Sequence, residues 1–326
     1  MTDPKRKTLQ MVKPDLDAIE SALEENLNPY LDLVSEAARH ILFSGGKRFR
    51  PLLMILSARL CRYQGSYDTI LSTTFEYLHA ATLLHDDLVD GATLRRGKTV
   101  AHSLWGNSIA ILVGDFLLAR SLSIAAKTGR PKIIQVISKV TEQMSQGEIH
   151  QMMRKGSLEL SENEYLEIIK NKTAFLIQGA CHVGAIIADA AETEEQALAD
   201  YGLNLGIAFQ MADDLLDYTA DTNVLGKKVG ADLREGKLTL PVIFTLQRAE
   251  PQDRRWMETL IQKNAFSTQE FERLQKLLQT YGGIDYTRDL AAGYISRAKA
   301  SLSIFEPSKT KELLLDLADY ALAREA

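Results

Sequence analysis

The spacing of proline constrains the fold of this chain more than any other feature of its sequence. Proline is absent between Pro51 and Pro131, and again between Pro131 and Pro241. Because proline interrupts helix interiors, these stretches can hold long helices. Apolar residues recur at intervals of three and four, as at Leu118 and Leu122, and no Asn-Gly or Asp-Gly pair is flanked by alternating apolar residues. The sequence therefore predicts an all-α fold.

The helices of this fold can be placed from the same periodicity. Gly45-Gly46 is a C-terminal stop signal, and Pro51 suits the first position of the next helix. No linker rich in Gly, Ser or Pro divides the 326 residues, so we expect a single domain over 1–326 with a flexible segment at 1–14. Helices are predicted near 15–43, 51–63, 67–91, 103–127, 132–154, 162–190, 194–219 and 238–248, with shorter ones over 253–324.

Composition and charge exclude several classes of protein. The chain is 45% hydrophobic, which fits a globular protein with a sizeable core. A net charge of -5 argues against a nucleic-acid partner. Cys61 and Cys181 fit no metal or disulfide pattern. No secretory signal is visible, and the most apolar segment, 109–119, is too short to span a membrane and carries Asp115. We therefore expect a cytoplasmic protein without a transmembrane segment.

Two clusters of aspartate share one pattern on different predicted helices. The first is DDLVD at 86–90, and the second is DDLLD at 213–217. Carboxylates one turn apart repel each other, and each cluster follows a strongly apolar segment that predicts partial burial. Such clusters must bind protons or cations, and their oxygen ligands suit Mg²⁺. The predicted metal ligands are Asp86, Asp87, Asp90, Asp213, Asp214 and Asp217.

Basic residues lie near both clusters in the sequence. Mg²⁺ is usually held by one or two carboxylates together with water and phosphate oxygens, so cations for phosphate are expected nearby. His79 lies seven residues before Asp86, and Gln210 lies three before Asp213, each on the face of its cluster. The cationic candidates are Lys47, Arg48, Arg50, Arg95, Arg96, Lys172, Lys227 and Lys237.

The motifs that carry these residues resemble a known family. GGKRFRP, EYLHAATLLHDDLVD, LRRG, KTA, GIAFQMADDLLD and GKLTLP occur in the order found in trans-isoprenyl (polyprenyl) diphosphate synthases. The chain resembles this family from about residue 15 to its end, and most closely the long-chain, octaprenyl-type members. The resemblance implies a bundle of about ten or more long helices around a central cavity, and a homodimer.

The resemblance also implies a reaction and a role for each site residue. An allylic diphosphate loses diphosphate with the help of Mg²⁺, three ions in each active site, and isopentenyl diphosphate attacks the allylic cation. Asp86, Asp90, Asp213, Lys172 and Lys237 are the implied catalytic residues. The isopentenyl diphosphate is expected to bind Lys47, Arg50, His79 and Arg96. The allylic diphosphate is expected to bind Arg95, Lys172, Gln210, Lys227 and Lys237.

Product length in this family depends partly on bulk just before the first aspartate cluster. Here the positions four and five residues before Asp86 are Thr82 and Ala81, which are both small. The resemblance therefore implies a deep tunnel and a long all-trans product. Candidates for its floor are Ile137, Val140 and Met144, which also suit an ordinary core.

Four other interpretations remain open from the sequence. A shorter-chain farnesyl or geranylgeranyl synthase shares the same motifs. A class I terpene cyclase is all-α and carries DDxxD, but the second DDLLD and GGKRFRP argue against it. An HD-type phosphohydrolase is suggested by His85-Asp86 and would need further histidines. A non-catalytic subunit of a heteromeric synthase would be expected to have lost some of these side chains.

Overall fold

The chain folds almost entirely into helices, so the all-α prediction is confirmed. The computed structural model describes residues 4–219, 230–263 and 265–322. Two compact units are present. The first takes in the chain up to Thr141 together with Leu176–Gly202 and Ser301–Leu317. The second takes in Glu142–Phe175, Leu203–Ala300 and the chain from Ala318 onward.

The described residues contain the following elements. The first half holds α1 Pro4–Leu27, α2 Asp32–Leu42, α3 Phe49–Leu60, α4 Asp68–Val89, β1 Leu94–Arg95, β2 Lys98–Thr99, α5 Ala101–Trp105, α6 Asn107–Ala126 and α7 Pro131–Met153. It is followed by α8 Glu162–Ile169, a π-helical turn Lys170–Ala174, α9 Phe175–Ile187 and α10 Glu192–Thr219. The remainder comprises α11 Ala231–Arg234, α12 Leu240–Arg248, α13 Pro251–Lys263, α14 Thr268–Thr280, α15 Gly283–Ser301, a 3-10 turn Leu302–Ile304 and α16 Lys309–Leu322.

Several predicted helices are divided where the backbone turns. The helix expected over 15–43 is two helices, because Asn28 adopts a left-handed φ of 40° after α1 and Pro29 follows it. Helix α1 begins at Pro4, so residues 4–14 are helical where a flexible segment was predicted. Gly106, with φ 85°, separates α5 from α6 within the predicted helix 103–127. The predicted helix 162–190 contains a π-helical turn.

Helix α4 lies at the centre of the first unit, where it packs against α1, α2, α3 and α6. Helix α3 is buried on nearly every side, and its Leu53, Met54 and Leu56 have no exposed surface. Phe75 of α4 is equally buried. Burial of each such side chain contributes about 1.5–3 kcal/mol. This packing holds the first aspartate cluster, at the end of α4, on a rigid support.

The second unit has its own apolar core, built around α10, α12 and α14. Met211, Leu240, Met257 and Leu274 are fully buried in it. Both α8 and α14 pack against α12. The second aspartate cluster, near the end of α10, is supported by this core.

The apolar segment 109–119, expected to be too short to span a membrane, lies within the longer helix α6. It has 20 residues, and among the described residues it alone is long and apolar enough to cross a membrane by length and composition. Core helices of globular proteins pass the same test. Ala110, Val113 and Leu117 are buried on one face of α6, whereas Ile111 and Leu112 are exposed.

Candidate active site

The first aspartate cluster lies at the C-terminal end of α4. Asp90 is the residue at which the helix ends, and no basic residue occupies the last turn. Free carbonyl groups make this end of a helix partially negative, so carboxylates here repel the helix as well as each other. Asp86 and Asp90 are half-buried, whereas Asp87 is buried. The arrangement favours a bound cation.

Asp87 is engaged by an arginine. Arg95 donates from Nε to Asp87 Oδ1 at 2.7 Å, and its Nη2 lies 2.6 Å from the same oxygen. The backbone N–H of Ala92 also donates to the Asp87 carbonyl oxygen. Asp87 therefore anchors the segment that follows α4, and Arg95, predicted to bind the allylic diphosphate, is tied to this carboxylate.

Strands β1 and β2 form a short hairpin that the sequence did not predict. Arg96 and Gly97 occupy its turn, with φ values of 51° and 76°. Two positive φ values in a two-residue turn match the right-handed twist of a hairpin. No Asn-Gly or Asp-Gly pair marks this turn in the sequence, because arginine takes the left-handed position before the glycine. Arg95 of the hairpin contacts Asp87 at the end of α4, whereas the side chain of Arg96 lies beside Gly46.

Four of the predicted cations surround His79 in the first unit. A Cβ at Gly46 would lie 3.2 Å from Nη1 of Arg96, so the Arg96 side chain rests against the GGKRFRP backbone. Burial lowers the pKa of His79 well below its ordinary value, and the charges of Arg50, Arg96, Arg95 and Arg48 lower it further. His79 is therefore neutral at physiological pH and can donate one hydrogen bond. Lys47, in the GGKRFRP segment, is exposed.

Arg48 differs from the other cations of its loop because it is buried. Its guanidinium donates to Glu20 at 2.6 Å, to Glu76 at 2.8 Å and to the carbonyl of Leu42 at 2.6 Å. Its φ of 47° is left-handed, a conformation that L residues adopt at a cost of about 1–2 kcal/mol. Arg48, a candidate for anion binding from the sequence, instead fixes the loop that presents Lys47 and Arg50. Glu20 and Glu76 were not singled out by sequence reasoning.

The second aspartate cluster occupies the last two turns of α10, which also lack a basic residue at their end. Asp213 is exposed, whereas Asp214 is buried. Tyr165 donates to Asp214 Oδ2 at 2.6 Å, and Gln210 Nε2 donates to Oδ1 at 2.7 Å. Both oxygens of Asp214 therefore have donors from the protein. Tyr165 was not predicted as a site residue, because its place in the sequence is typical of an ordinary core residue.

Burial raises the pKa of Asp214 to about 7. The hydrogen bonds from Tyr165 and Gln210 oppose this rise, while the neighbouring Asp213 and Asp217 add to it. Burial also raises the pKa of Asp217. Burial thus disfavours the charged form of both carboxyl groups, and a bound cation would stabilise that form.

Asp217 anchors the segment that begins at Gly230. It accepts hydrogen bonds from the backbone N–H groups of Ala231 at 3.0 Å and Asp232 at 3.1 Å. Asp232 is partly buried, and its pKa is raised by burial and by the charges of Asp214 and Asp217. Lys237 is mostly buried and lies 2.6 Å from Glu235. Asp232 was missed, although an acidic residue in the basic GKKVGADLREGK segment is a usable signal.

The π-helical turn carries Lys172, and Lys227 lies outside the described residues. Lys172 Nζ forms an ion pair with Glu148 and donates to Gln151 Oε1 at 2.8 Å. A Cβ at Gly147 would lie 2.6 Å from the backbone nitrogen of Lys172, so α7 and the π-helical turn are in close contact through their backbones. π-Helical turns often mark functional sites. Sequence reasoning missed Glu148, which no periodicity distinguishes from a surface residue.

The donor set fits a hard divalent cation that is shared with a ligand. In the part of the chain that the structure describes, no three His, Cys, Asp or Glu side chains are placed to enclose a metal ion. Half-buried or exposed carboxylates remain at each cluster, which suits Mg²⁺ held partly by phosphate oxygens. His85, on which the phosphohydrolase interpretation depends, lies 3.2 Å from the Ile111 carbonyl oxygen and 3.7 Å from Asp115.

Four of the five residues predicted to affect product length belong to the first unit. Ala81 is buried, and Thr82 donates to the His79 carbonyl at 2.8 Å. A Cβ at Gly179 would lie 2.8 Å from Val140 and 3.5 Å from Phe75, so α4, α7 and α9 meet there. Ile137 is fully buried in the same unit. Met144 belongs to the second unit.

Comparison with known proteins identifies the family. The polyprenyl synthetase family model matches residues 31–278. The chain belongs to the polyprenyl synthetase family. Octaprenyl diphosphate synthase of Escherichia coli is 34% identical over 319 residues, which are 98% of each chain. Geranylgeranyl diphosphate synthase of Methanosarcina mazei is 35% identical over 295 residues, 89% of each chain.

A solved structure extends the similarity to three dimensions. Polyprenyl synthase from Caulobacter crescentus, complexed with calcium and isoprenyl diphosphate, superposes with a TM-score of 0.93 at 39% identity, covering 99% of this chain and 98% of that one. The chain is thus a trans-prenyltransferase and a polyprenyl diphosphate synthase, and its family uses divalent metal ions. This assignment decides against the cyclase and the phosphohydrolase.

Proposed function

We propose that this synthase makes a long-chain, octaprenyl-like all-trans diphosphate by adding isopentenyl diphosphate head-to-tail to an allylic diphosphate. One observation carries the proposal. The residues around the first aspartate cluster combine half-buried carboxylates, a cationic group centred on His79, and a small buried residue at position 81. The octaprenyl diphosphate synthase of Escherichia coli, to which the chain is similar, has such a product.

The carboxylates differ in the role that we assign to them. We assign direct binding of Mg²⁺ to Asp86, Asp90 and Asp213, the three aspartates that the family pattern implies as catalytic; Asp213 is exposed, and Asp86 and Asp90 are half-buried. Asp87, Asp214 and Asp217 act as supports, since their oxygens already accept hydrogen bonds from the protein. We propose three Mg²⁺ ions in each active site. When bound, Mg²⁺ neutralises charge on the leaving diphosphate.

The side chains divide between the two substrates. Lys47, Arg50, His79 and Arg96 bind isopentenyl diphosphate, and the neutral His79 donates one hydrogen bond. The allylic diphosphate binds Arg95, Lys172, Gln210, Lys227 and Lys237. Preorganised positive charge of this kind stabilises a leaving group as its charge develops.

The reaction then needs no protein nucleophile. The allylic carbon–oxygen bond breaks and diphosphate leaves with both electrons. The double bond of isopentenyl diphosphate attacks the cation, and the proton lost from the resulting cation passes to the departing diphosphate. Each cycle lengthens the chain by one isoprene unit.

The length of the product tests whether this enzyme is a long-chain synthase. Ala81 lies five residues before Asp86, about 7.5 Å along α4. An aromatic ring there would block the growing tail, so we expect Ala81→Tyr to shorten the product to about three or four isoprene units. Ala81→Ser is the matched control and should leave the product unchanged. An unchanged product with Ala81→Tyr would contradict the tunnel assignment.

The assay uses the purified full chain, labelled isopentenyl diphosphate, farnesyl diphosphate and Mg²⁺. Chromatography of the dephosphorylated products gives their length. We expect a ladder ending near eight isoprene units. Products that stop at three or four units would indicate a short-chain synthase. No elongation by the chain alone would indicate the non-catalytic subunit of a heteromeric synthase.

We also propose a homodimer that covers the exposed face of α6. Ile111 and Leu112 are neighbours there, and their side chains are 41% and 60% exposed. Contiguous exposed apolar side chains, unlike single ones, often mark a protein–protein interface. Leu112→Asp should give a monomer by sedimentation, whereas Leu33→Asp, on the exposed surface of α2, should not. We also propose a cytoplasmic protein that acts as one functional domain, without a transmembrane segment or a nucleic-acid partner. A dimer retained by Leu112→Asp would contradict the assignment of α6.

A further inference from the structure

A chain of buried and partly buried hydrogen bonds in the second unit links four polar side chains from three elements. Tyr165 of α8 donates to Asp214 Oδ2 at 2.6 Å. Gln210, one turn earlier on α10, donates to Asp214 Oδ1 at 2.7 Å. Thr173, on the π-helical turn, donates to Gln210 Oε1 at 2.8 Å. We call this set the α8–α10 relay.

We propose that Tyr165 is a positioning residue for magnesium diphosphate, because it holds the buried end of the α8–α10 relay. This inference rests on the proposed function, in which Gln210 and Lys172 bind the allylic diphosphate. Neither the aspartate pattern nor the family comparison assigns a role to Tyr165.

Each link of the relay has one direction. When Asp214 is ionised, as it is with Mg²⁺ bound nearby, it can only accept, so the Tyr165 hydroxyl and the amide nitrogen of Gln210 both donate to it. The amide oxygen of Gln210 is then the end that faces the Thr173 hydroxyl. The orientation of Gln210 is therefore set by Asp214, and that of Asp214 by Tyr165.

Burial makes the orientation costly to change. Tyr165 is 3% exposed and Asp214 is 4% exposed, so water does not replace a lost partner. Removing one partner of a buried charged group leaves that group without its full hydrogen bonding. Without the Tyr165 hydroxyl, Asp214 would turn toward another donor, and the amide of Gln210 would lose its fixed direction.

The relay ends beside the residues that we assign to ligand binding. Thr173 follows Lys172 in the sequence, and Asp214 follows Asp213. A Cβ at Gly206 would lie 2.6 Å from the Ala174 Cα, so α10 and the π-helical turn meet at their backbones. The backbone contact fixes their separation, and the relay fixes the direction of the polar side chains between them.

Calorimetric titration of the full chain with inorganic diphosphate in saturating Mg²⁺ tests this proposal without requiring turnover. We expect Tyr165→Phe to raise the Kd about five- to tenfold, as for the loss of one typical hydrogen bond. Tyr201→Phe is the matched control, because Tyr201 is equally buried on α10 and donates to the Leu314 carbonyl at 2.7 Å. It should change the Kd less than about twofold.

A second pair of variants separates positioning from general stabilisation. Thr173→Ala breaks the other end of the relay, so Tyr165→Phe and Thr173→Ala should be non-additive in the double variant. In steady-state assays, Tyr165→Phe should raise the KM for farnesyl diphosphate and leave that for isopentenyl diphosphate unchanged. A merely structural role would lower Tm and raise both KM values.

The outcomes distinguish the relay from the function on which it rests. An unchanged Kd for Tyr165→Phe, or additive effects in the double variant, would overturn the relay even if the wild-type chain elongates its primer. Failure of the wild-type chain to elongate any primer would overturn the proposed function, while a relay-dependent Kd for diphosphate would still support the positioning role.

Discussion

The two aspartate clusters share a sequence pattern and a location at the end of a helix, yet their buried carboxylates have different partners. Each cluster lies at the C-terminal end of a long helix, and in each the second aspartate is buried. Asp87 faces the guanidinium of Arg95, a full positive charge. Among the residues that the structure describes, the side chains that donate to Asp214 are the neutral Tyr165 and Gln210.

This difference shows that a repeated motif does not imply repeated electrostatics. An ion pair cancels most of the charge of a buried carboxylate, whereas neutral donors orient the carboxylate without cancelling its charge. The pKa of Asp214 accordingly rises to about 7 through burial. We infer that the charge of the buried carboxylate in the first cluster is balanced by an arginine, whereas the charge of the buried carboxylate in the second cluster is balanced by bound cations.

The largest expected effect concerns the residues assigned to direct metal binding. Asp86→Asn and Asp213→Asn should each reduce kcat/KM by about three powers of ten, as for the loss of about 4 kcal/mol of transition-state stabilisation. Asp87→Asn and Asp214→Asn should cost less than these, because both side chains act as supports. Steady-state elongation assays at saturating Mg²⁺ give the comparison. Equal losses across all four variants would remove the distinction between ligands and supports.

Thermal stability should separate the two supports from each other. Asp87→Asn leaves the Arg95 guanidinium without its counter-charge, so we expect a loss of about 3 kcal/mol. Asp214→Asn keeps the shape of the side chain and removes a charge that burial disfavours, so we expect no loss at pH 7 in EDTA. Calorimetric Tm values of both variants test this contrast. A larger loss for Asp214→Asn than for Asp87→Asn would reverse the comparison.

The pH dependence of stability should run in opposite directions in the two regions. Asp214 in the folded chain keeps its proton up to about pH 7, whereas the unfolded chain releases it near pH 4. Stability is therefore lost as pH rises through this window, by about 2 kcal/mol between pH 5 and 7, and Asp214→Asn should abolish this loss.

His79 should behave in the opposite way. Its folded pKa is lowered, so the unfolded chain binds the proton first and stability is lost as pH falls below about 6.5. His79→Gln should reduce that loss between pH 7 and 5. Tm values measured from pH 5 to 7.5 in EDTA check both windows, and a His79→Gln profile parallel to the wild type would contradict the neutral histidine.

The helical class could be predicted because it leaves a periodic pattern in the sequence, and candidate site residues could be named because they leave a charged one. Proline spacing and apolar periodicity identify the long helices, and the motifs mark the aspartates and most of the cations. Helix boundaries were less well predicted: the break after Leu27 has a signal in Asn28-Pro29, but the apolar periodicity that continues on both sides favoured one helix over 15–43. The β1–β2 hairpin was missed for a similar reason, since Arg96 takes a position that usually favours Asn or Gly.

The supporting side chains could not be predicted from spacing at all. Tyr165 lies 49 positions from Asp214 in the sequence, and Glu76 lies 28 from Arg48. Such partners are selected by packing, which a single sequence does not encode in any local pattern. The same limit explains why Arg48 looked like an anion ligand although Glu20 and Glu76 bind its guanidinium.

The central claim is that both aspartate clusters bind divalent ions together with diphosphate. A crystal of the full chain grown with Mn²⁺ and a non-reactive allylic thiolodiphosphate tests it directly, because Mn²⁺ gives an anomalous signal. We predict anomalous peaks within about 2.5 Å of carboxylate oxygens of Asp86, Asp90 and Asp213, each also contacting a diphosphate oxygen. Diphosphate bound with no peak at either cluster would contradict the account.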